Sequence, residues 1–160
     1  MTAEELSIKQ LEAPSGSFTL KVDGQGRIQV PGEWVTYFEG TLGERDFFVT
    51  WEKGWIKIFP KCLWMKQKAA AYAQKSEEEY ENWSLAMQHY GWMTTLDQSK
   101  KLTPNPALRT ELNLKGAELT MMDHQGTLRG KLTSEYEARI QVAKQSAAEQ
   151  ISKPEGARLL

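Results

Sequence analysis

The sequence predicts an α+β fold built twice, each half running β-β-α-β-β and followed by a longer helix. Three observations predict it. Residues 22–31, VDGQGRIQVP, and residues 96–105, LDQSKKLTPN, stand 74 residues apart, and in each an Asp precedes a basic residue by four positions between apolar neighbours. Gly54 with Gly126, and Trp64 with Tyr136, continue the correspondence at a separation of 72. Alternating apolar stretches surround these landmarks, as half-buried strands require, and a separation that holds within two residues is the mark of a repeat.

Residues 1–17 end in Pro14-Ser15-Gly16-Ser17 and read as a loosely attached arm. The first repeat with its helical linker spans 18–91. Phe18, Leu20 and Val22 share one face of a strand, while Thr19, Lys21 and Asp23 share the other. Asp23-Gly24 and Gly26 supply turn chemistry, and Ile28 and Val30 resume the apolar face. The segment reads as a hairpin with Lys21 and Arg27 on its wet side. Pro31 can open a helix, where its missing N–H is not needed, and Trp34, Val35 and Phe38 would form the buried stripe. Residues 47–51 and 55–59 flank Glu52-Lys53-Gly54 as a second hairpin. A helix over 63–75 follows, and then a segment opening with Ser76 and Glu79 in capping-box spacing, with Tyr80, Trp83, Met87 and Tyr90 at helical intervals.

The second repeat, 92–151, has the same order. Residues 92–96 and 101–103 are strands around Gln98-Ser99-Lys100. Asn105 caps a helix whose first residue is Pro106, with Leu108 and Leu112 inward. Residues 118–122 and 127–132 form a hairpin around Asp123-His124-Gln125-Gly126. Ser134 and Glu137 open a last helix with Tyr136, Ile140, Ala143 and Ala147 on one stripe. The tail, 152–160, contains Pro154 and Gly156 and is expected to fray.

At 160 residues the chain suits one compact body or two packed halves of about 75 residues. Forty per cent apolar and 26% charged residues describe a globular chain rather than a disordered one. With a net charge of −1, any nucleic-acid site must come from local clustering. A single cysteine, Cys62, excludes an internal disulfide and suits a reducing cytoplasm. No apolar run reaches membrane-spanning length, and the first residues lack the apolar segment of a signal peptide. Six Trp residues point to a packed core or a subunit interface.

Arg27 and Lys101 carry the most informative chemistry. A guanidinium can take a phosphate or a guanine edge; equally, each cation can form a surface ion pair with Asp23 or Asp97, and the Asp can orient it. The run Glu77-Glu78-Glu79-Tyr80-Glu81 reads as a solvated helix face whose first-turn acids suit the helix dipole. His89, His124 and Cys62 lack metal-ligand spacing. Asp123-His124 and Ser134 lack a nucleophile elbow, and no phosphate-binding glycine loop occurs. No cofactor, metal, small-molecule substrate or enzymatic activity is expected. Trp51, Trp55, Trp64, Trp83 and Trp92 sit among apolar neighbours and read as core or interface rather than base-stacking platforms.

The two Asp-x-x-x-basic segments with their linker resemble the MraZ family, tandem proteins of the SpoVT/AbrB-like class. VDGQGRIQVP is similar to that family's first motif. LDQSKKLTPNPALR matches the second in position, with Lys101 in place of Arg and the proline shifted. The resemblance covers roughly residues 18–142. It implies two swapped-hairpin units closing into a barrel-like body with flanking helices. It also implies a cytoplasmic, nucleoid-associated transcriptional regulator that forms ring-like homo-oligomers. Such a regulator binds short direct repeats in double-stranded promoter DNA of cell-division and cell-wall genes. Carried over by position, the DNA-binding residues are Asp23, Arg27, Asp97 and Lys101; the polar faces of the hairpins add Lys21 and Lys100. The competing expectation is an AbrB-like protein-interaction module, an antitoxin or assembly factor without DNA binding.

Overall fold

Each repeat opens with a strand that finds its partner in the other repeat. The computed structural model describes residues 1–152. In it β1 (Phe18–Lys21) lies antiparallel to β7 (Glu118–His124), and β5 (Trp92–Thr95) antiparallel to β3 (Asp46–Glu52). β2 (Ile28–Gln29) and β6 (Lys101–Leu102) pair as a separate two-stranded ladder, Ile28 opposite Leu102 and Gln29 opposite Lys101. Within repeats, β3 pairs with β4 (Trp55–Pro60) and β7 with β8 (Thr127–Leu132); β4 and β8 then join the repeats. The main sheet runs β1-β7-β8-β4-β3-β5. Exchanging the two repeats reverses this order without changing it.

Two expectations need correction. The segments around Asp23-Gly24 and Gln98-Ser99-Lys100 are turns, but their arms are not hairpins. One arm enters the main sheet and the other enters the β2–β6 ladder. Nor is the sheet closed into a barrel. β1 and β5 are its edges, and the chain leaves both for the separate ladder, so they never meet.

The other two hairpins form as expected, with two-residue loops. Lys53 and Gly54 have φ of 54° and 81°, and Gln125 and Gly126 have 54° and 84°. Positive φ at both positions gives the turn whose twist matches the strands it joins. The helix expected after Pro31 is α2 (Gly32–Val35) continuing as a π-helical turn, Thr36–Thr41. Its counterpart, α5 (Pro106–Glu111), is shorter and is capped by Asn105 Oδ1, which accepts the Ala107 N–H at 2.8 Å. The separation between repeats falls from 74 to 72 across this region. The wider π turn takes up the extra residues of the first repeat.

One core draws on both repeats: Trp34, Phe38 and Ile28 from the first meet Leu102, Leu108 and Leu119 from the second. Phe47 and Val49 face that core, while Phe48 points to the opposite face of the sheet, as strand alternation dictates. There Phe48, Phe59, Trp64 and Met87 form a second cluster under α3 (Lys61–Gln74) and α4 (Glu77–Tyr90). These are two helices broken at Lys75-Ser76; the Ser76 hydroxyl accepts the Glu79 N–H at 3.2 Å and Glu79 accepts the Ser76 N–H at 2.8 Å. Trp64 is buried, Trp51, Trp55 and Trp83 are half-buried, and Trp92 is 39% exposed. α6 (Thr133–Ser152) starts directly after β8, one residue before Ser134. Tyr136, Ile140 and Ala143 on its stripe are half-buried and Ala147 is exposed.

Residues 1–17 are more than an arm. α1 (Ala3–Gln10), capped by Thr2, docks on the body: Gln10 Nε2 donates to Gln125 O at 2.6 Å, and Lys66 Nζ donates to Ser7 Oγ at 3.1 Å and to Gln10 Oε1. Leu6 packs against the core. The tail expected over 152–160 lies outside the described residues beyond Ser152. Among the described residues no helix is long and apolar enough to cross a membrane.

Candidate nucleic-acid interface

The two Asp residues do the same local work. Asp23 Oδ1 accepts the backbone N–H of Gln25 and of Arg27, each at 2.9 Å. Asp97 Oδ1 accepts those of Ser99 and Lys101, at 2.8 and 2.9 Å. In each turn the Asp N–H donates to the carbonyl of the basic residue, at 3.1 and 3.0 Å. The residue before the base, Gly26 or Lys100, has φ of 81° or 61° and donates its N–H to the Asp carbonyl at 3.0 Å. The short Asp side chain suits both amides at once, which explains the fixed spacing of acid and base.

The β2–β6 ladder places the two turns side by side. Gln29 Nε2 donates across to Ser99 O at 2.9 Å, and the Val30 N–H to Lys100 O at 2.9 Å. The acids and bases therefore pair between repeats as well as within one. Arg27 Nε lies 2.8 Å from Asp23 Oδ2, and Lys101 Nζ lies 3.1 Å from the same oxygen. Arg27 Nη1 lies 3.7 Å from Asp97 Oδ2. The four residues form a quartet with no net charge. The backbone N–H of Arg27 holds the Asp23 carboxyl far below the usual carboxylate range. The Lys101 ammonium, the Gln25 N–H and the Arg27 side chain add to it, against the cost of desolvation. Arg27 nonetheless keeps 32% of its side chain in solvent.

Of the six expected site residues, Asp23, Arg27, Asp97 and Lys101 thus come together. Lys100 turns away, its ammonium 3.1 Å from Glu39 Oε1 in the π turn. Lys21 stands exposed at the end of β1 opposite Glu118 and is not part of the quartet.

Three residues join the site unannounced by sequence pattern. Arg109 of α5 runs its stem beneath Gly26, where a Cβ would come 2.6 Å from Arg109 Cδ, and its Nη1 donates to Gln25 O at 3.1 Å. Gln29 bridges the turns, and Glu39 holds both Lys100 and Arg45. Their partners lie in the other repeat or in a distant loop, so no local spacing betrays them.

The other motifs play structural parts. Asp123 Oδ1 accepts the Gly126 N–H at 2.8 Å and so closes the β7–β8 turn. Glu77, Glu78, Glu79 and Glu81 are exposed on α4. Among the described residues no group of three His, Cys, Asp or Glu side chains converges as on a metal ion.

No protein-family model matches the chain, and no curated protein matches it.

Proposed function

We propose that the chain is a DNA-binding transcriptional regulator of the MraZ type, built from two SpoVT/AbrB-like swapped-hairpin units and acting as a ring-like oligomer in the cytoplasm. One observation carries this reading: two Asp-x-x-x-basic turns with the same hydrogen-bond scheme, held side by side by a ladder shared between repeats.

In this mechanism Asp23 and Asp97 hold the turns and aim the cations. The partly exposed Arg27 guanidinium exchanges its long Asp97 contact for a phosphate or the edge of a guanine, while Lys101 serves as a point charge. A base-directed contact contributes about 1–3 kcal/mol, so one protomer binds weakly. Several protomers on tandem DNA repeats gain factors of about 10²–10⁴ from effective concentration. Control of cell-division and cell-wall genes follows from the resemblance alone.

The neutral quartet favours a second reading. Cations already paired to carboxylates must lose those pairs to take phosphate, so the paired turns would instead brace an AbrB-like protein-interaction module. Fluorescence anisotropy with the chain's own upstream promoter DNA, at about 50 and 200 mM salt, separates the two. Neutralising two phosphates per protomer lowers affinity about tenfold over that range. Arg27→Ala should then weaken binding more than Lys101→Ala. Absence of binding at both salts, or binding indifferent to Arg27→Ala, would leave the interaction module.

A further inference from the structure

A second charged feature lies away from the turns. A cleft of about 340 Å³ opens between α1, the β3–β4 and β7–β8 turns, and the α3–α4 pair. Its one lining carboxylate, Glu52, is already committed. Glu52 Oε1 is 2.6 Å from Lys57 Nζ, with both side chains about 88% covered, and its Oε2 accepts the Trp83 indole N–H at 2.8 Å. Three further lysines line the cleft: Lys53, Lys66 and Lys75. Among the described residues none of the three forms an ion pair with a carboxylate; Lys66 donates only to the neutral oxygens of Ser7 and Gln10. The chain carries a net charge of −1, yet it gathers three ammonium groups without a contact ion pair around one concavity.

We propose that this cleft binds a small oligophosphate, a molecule bearing a di- or triphosphate, through Lys53, Lys66 and Lys75. Clustered like charges raise the local concentration of anions, and low-dielectric walls focus their field. Lysine is a point charge that suits a multiply charged phosphate chain with no fixed fork geometry. The cleft takes a small molecule rather than a duplex. B-DNA presents phosphates across a major groove of about 12 Å, whereas 340 Å³ is close to the lower end of small-ligand sites. The half-buried Trp83 lines the cleft as well and offers some apolar surface to an organic group. Burial, and then the positive charges of Arg129 and Lys57, push the pKa of His124 in the same wall down, against the opposing pull of Asp123 and Glu52. Lys75 also faces Glu79 through space, and Lys53 faces Glu52.

The test is calorimetric titration of the full chain with sodium pyrophosphate and, separately, with ATP, at about 50 mM sodium chloride. Saturable binding with a Kd below about 1 mM is expected for both. ATP binding more tightly than pyrophosphate would add recognition of the organic part; equal affinities would make the phosphates the whole ligand. Both outcomes support the site. The double variant Lys53→Gln/Lys75→Gln removes side chains with no hydrogen bond in the structure, so its circular dichroism should match that of the unaltered chain. Its affinity should fall about tenfold or more, as expected when two of three cations are lost. Lys68→Gln, an exposed lysine outside the cleft lining, should bind pyrophosphate as the unaltered chain does. No heat of binding from either probe up to about 5 mM, undiminished binding by the double variant, or a loss in Lys68→Gln equal to that in the double variant would overturn the proposal.

Discussion

Replacing Glu52 by Gln tests the buried pair that ties the β3–β4 hairpin to α4. Glu52 and Lys57 are only 11% and 12% exposed, and the Glu52 carboxylate takes the ammonium at 2.6 Å and the Trp83 indole N–H at 2.8 Å. Removing one member of a buried pair costs about 3–5 kcal/mol when nothing replaces it. Gln keeps one oxygen and can still accept from Lys57 or Trp83, which offsets part of that. One lost charge-assisted bond leaves about 2 kcal/mol. For a chain of this size each kcal/mol moves Tm by about 2–4 °C, so Glu52→Gln should melt about 4–8 °C lower at pH 7. The pH dependence supplies an independent check. Burial alone raises the Glu52 pKa, but the hydrogen bonds from Lys57 and Trp83, together with the charges of Lys57 and Lys53, outweigh it and hold it below the ordinary 4.5. A depressed acid stabilises the fold fully above its unfolded pKa and ceases to do so as pH falls through the folded one. The gap between the two proteins should therefore persist from pH 7 to about 5.5 and narrow below about 4.5. Thermal melts followed by tryptophan fluorescence at those pH values and at about 3.5 would measure it. A gap unchanged at the lowest pH, or below about 1 °C at pH 7, would refute the reasoning.

Leu102→Ala should cost about 2–5 kcal/mol by urea denaturation, because Leu102 is fully buried opposite Ile28. The double variant with Ile28→Ala should lose less than the sum of the single losses, since neighbours share one cavity. Gly126→Ala should destabilise by about 1–3 kcal/mol: its φ is +84° and the new Cβ would stand 2.6 Å from Tyr37 Oη. Gly24→Ala, with nothing within 4 Å of its Cβ, should stay within about 0.5 kcal/mol of the unaltered chain in the same assay. If the turns read DNA, Lys101→Arg supplies a bidentate fork and should tighten promoter binding several-fold in the anisotropy assay; an unchanged or weaker affinity would place Lys101 outside the contact.

The element order was legible because the signals for it are local. Alternation marks strands, Gly54 and Gly126 mark tight turns, and the Ser76 box and the Asn105 cap mark helix starts; each depends on residues a few positions apart. Partnership was less legible. Phe18, Leu20 and Val22 announce a strand, but nothing in them says that the partner is β7, about a hundred positions on. The local turn at Asp23 invites pairing of its own two arms, and the structure instead sends them to different ladders. α1 was missed for a related reason. No residue in it is fully buried, and it is held by polar bonds from Gln10 and to Ser7 that no apolar stripe foretells. In the candidate site, Asp23 and Asp97 were readable because their bonds reach two and four residues ahead. Arg109 and Glu39 were not, because their partners come from across the fold.

The exchange between repeats also explains how the second turn keeps its shape with different letters. Lys100 stands where the first turn has Gly26, at a positive φ that favours glycine. Its backbone still donates to the Asp97 carbonyl and still accepts the Val30 N–H from the other repeat, while its side chain is held by Glu39 of that repeat. Lys101, one position on, reaches across to Asp23 rather than to its own Asp97. Asp23 thus holds two cations closely, and Asp97 keeps only the 3.7 Å approach of Arg27. The turns are alike in backbone and unlike in charge. The loosest ion pair of the quartet is the one that Arg27 makes through its outer nitrogen, so a phosphate arriving at this face would displace that pair first. For this reason Arg27, rather than Lys101, is the cation on which the proposed DNA binding should depend.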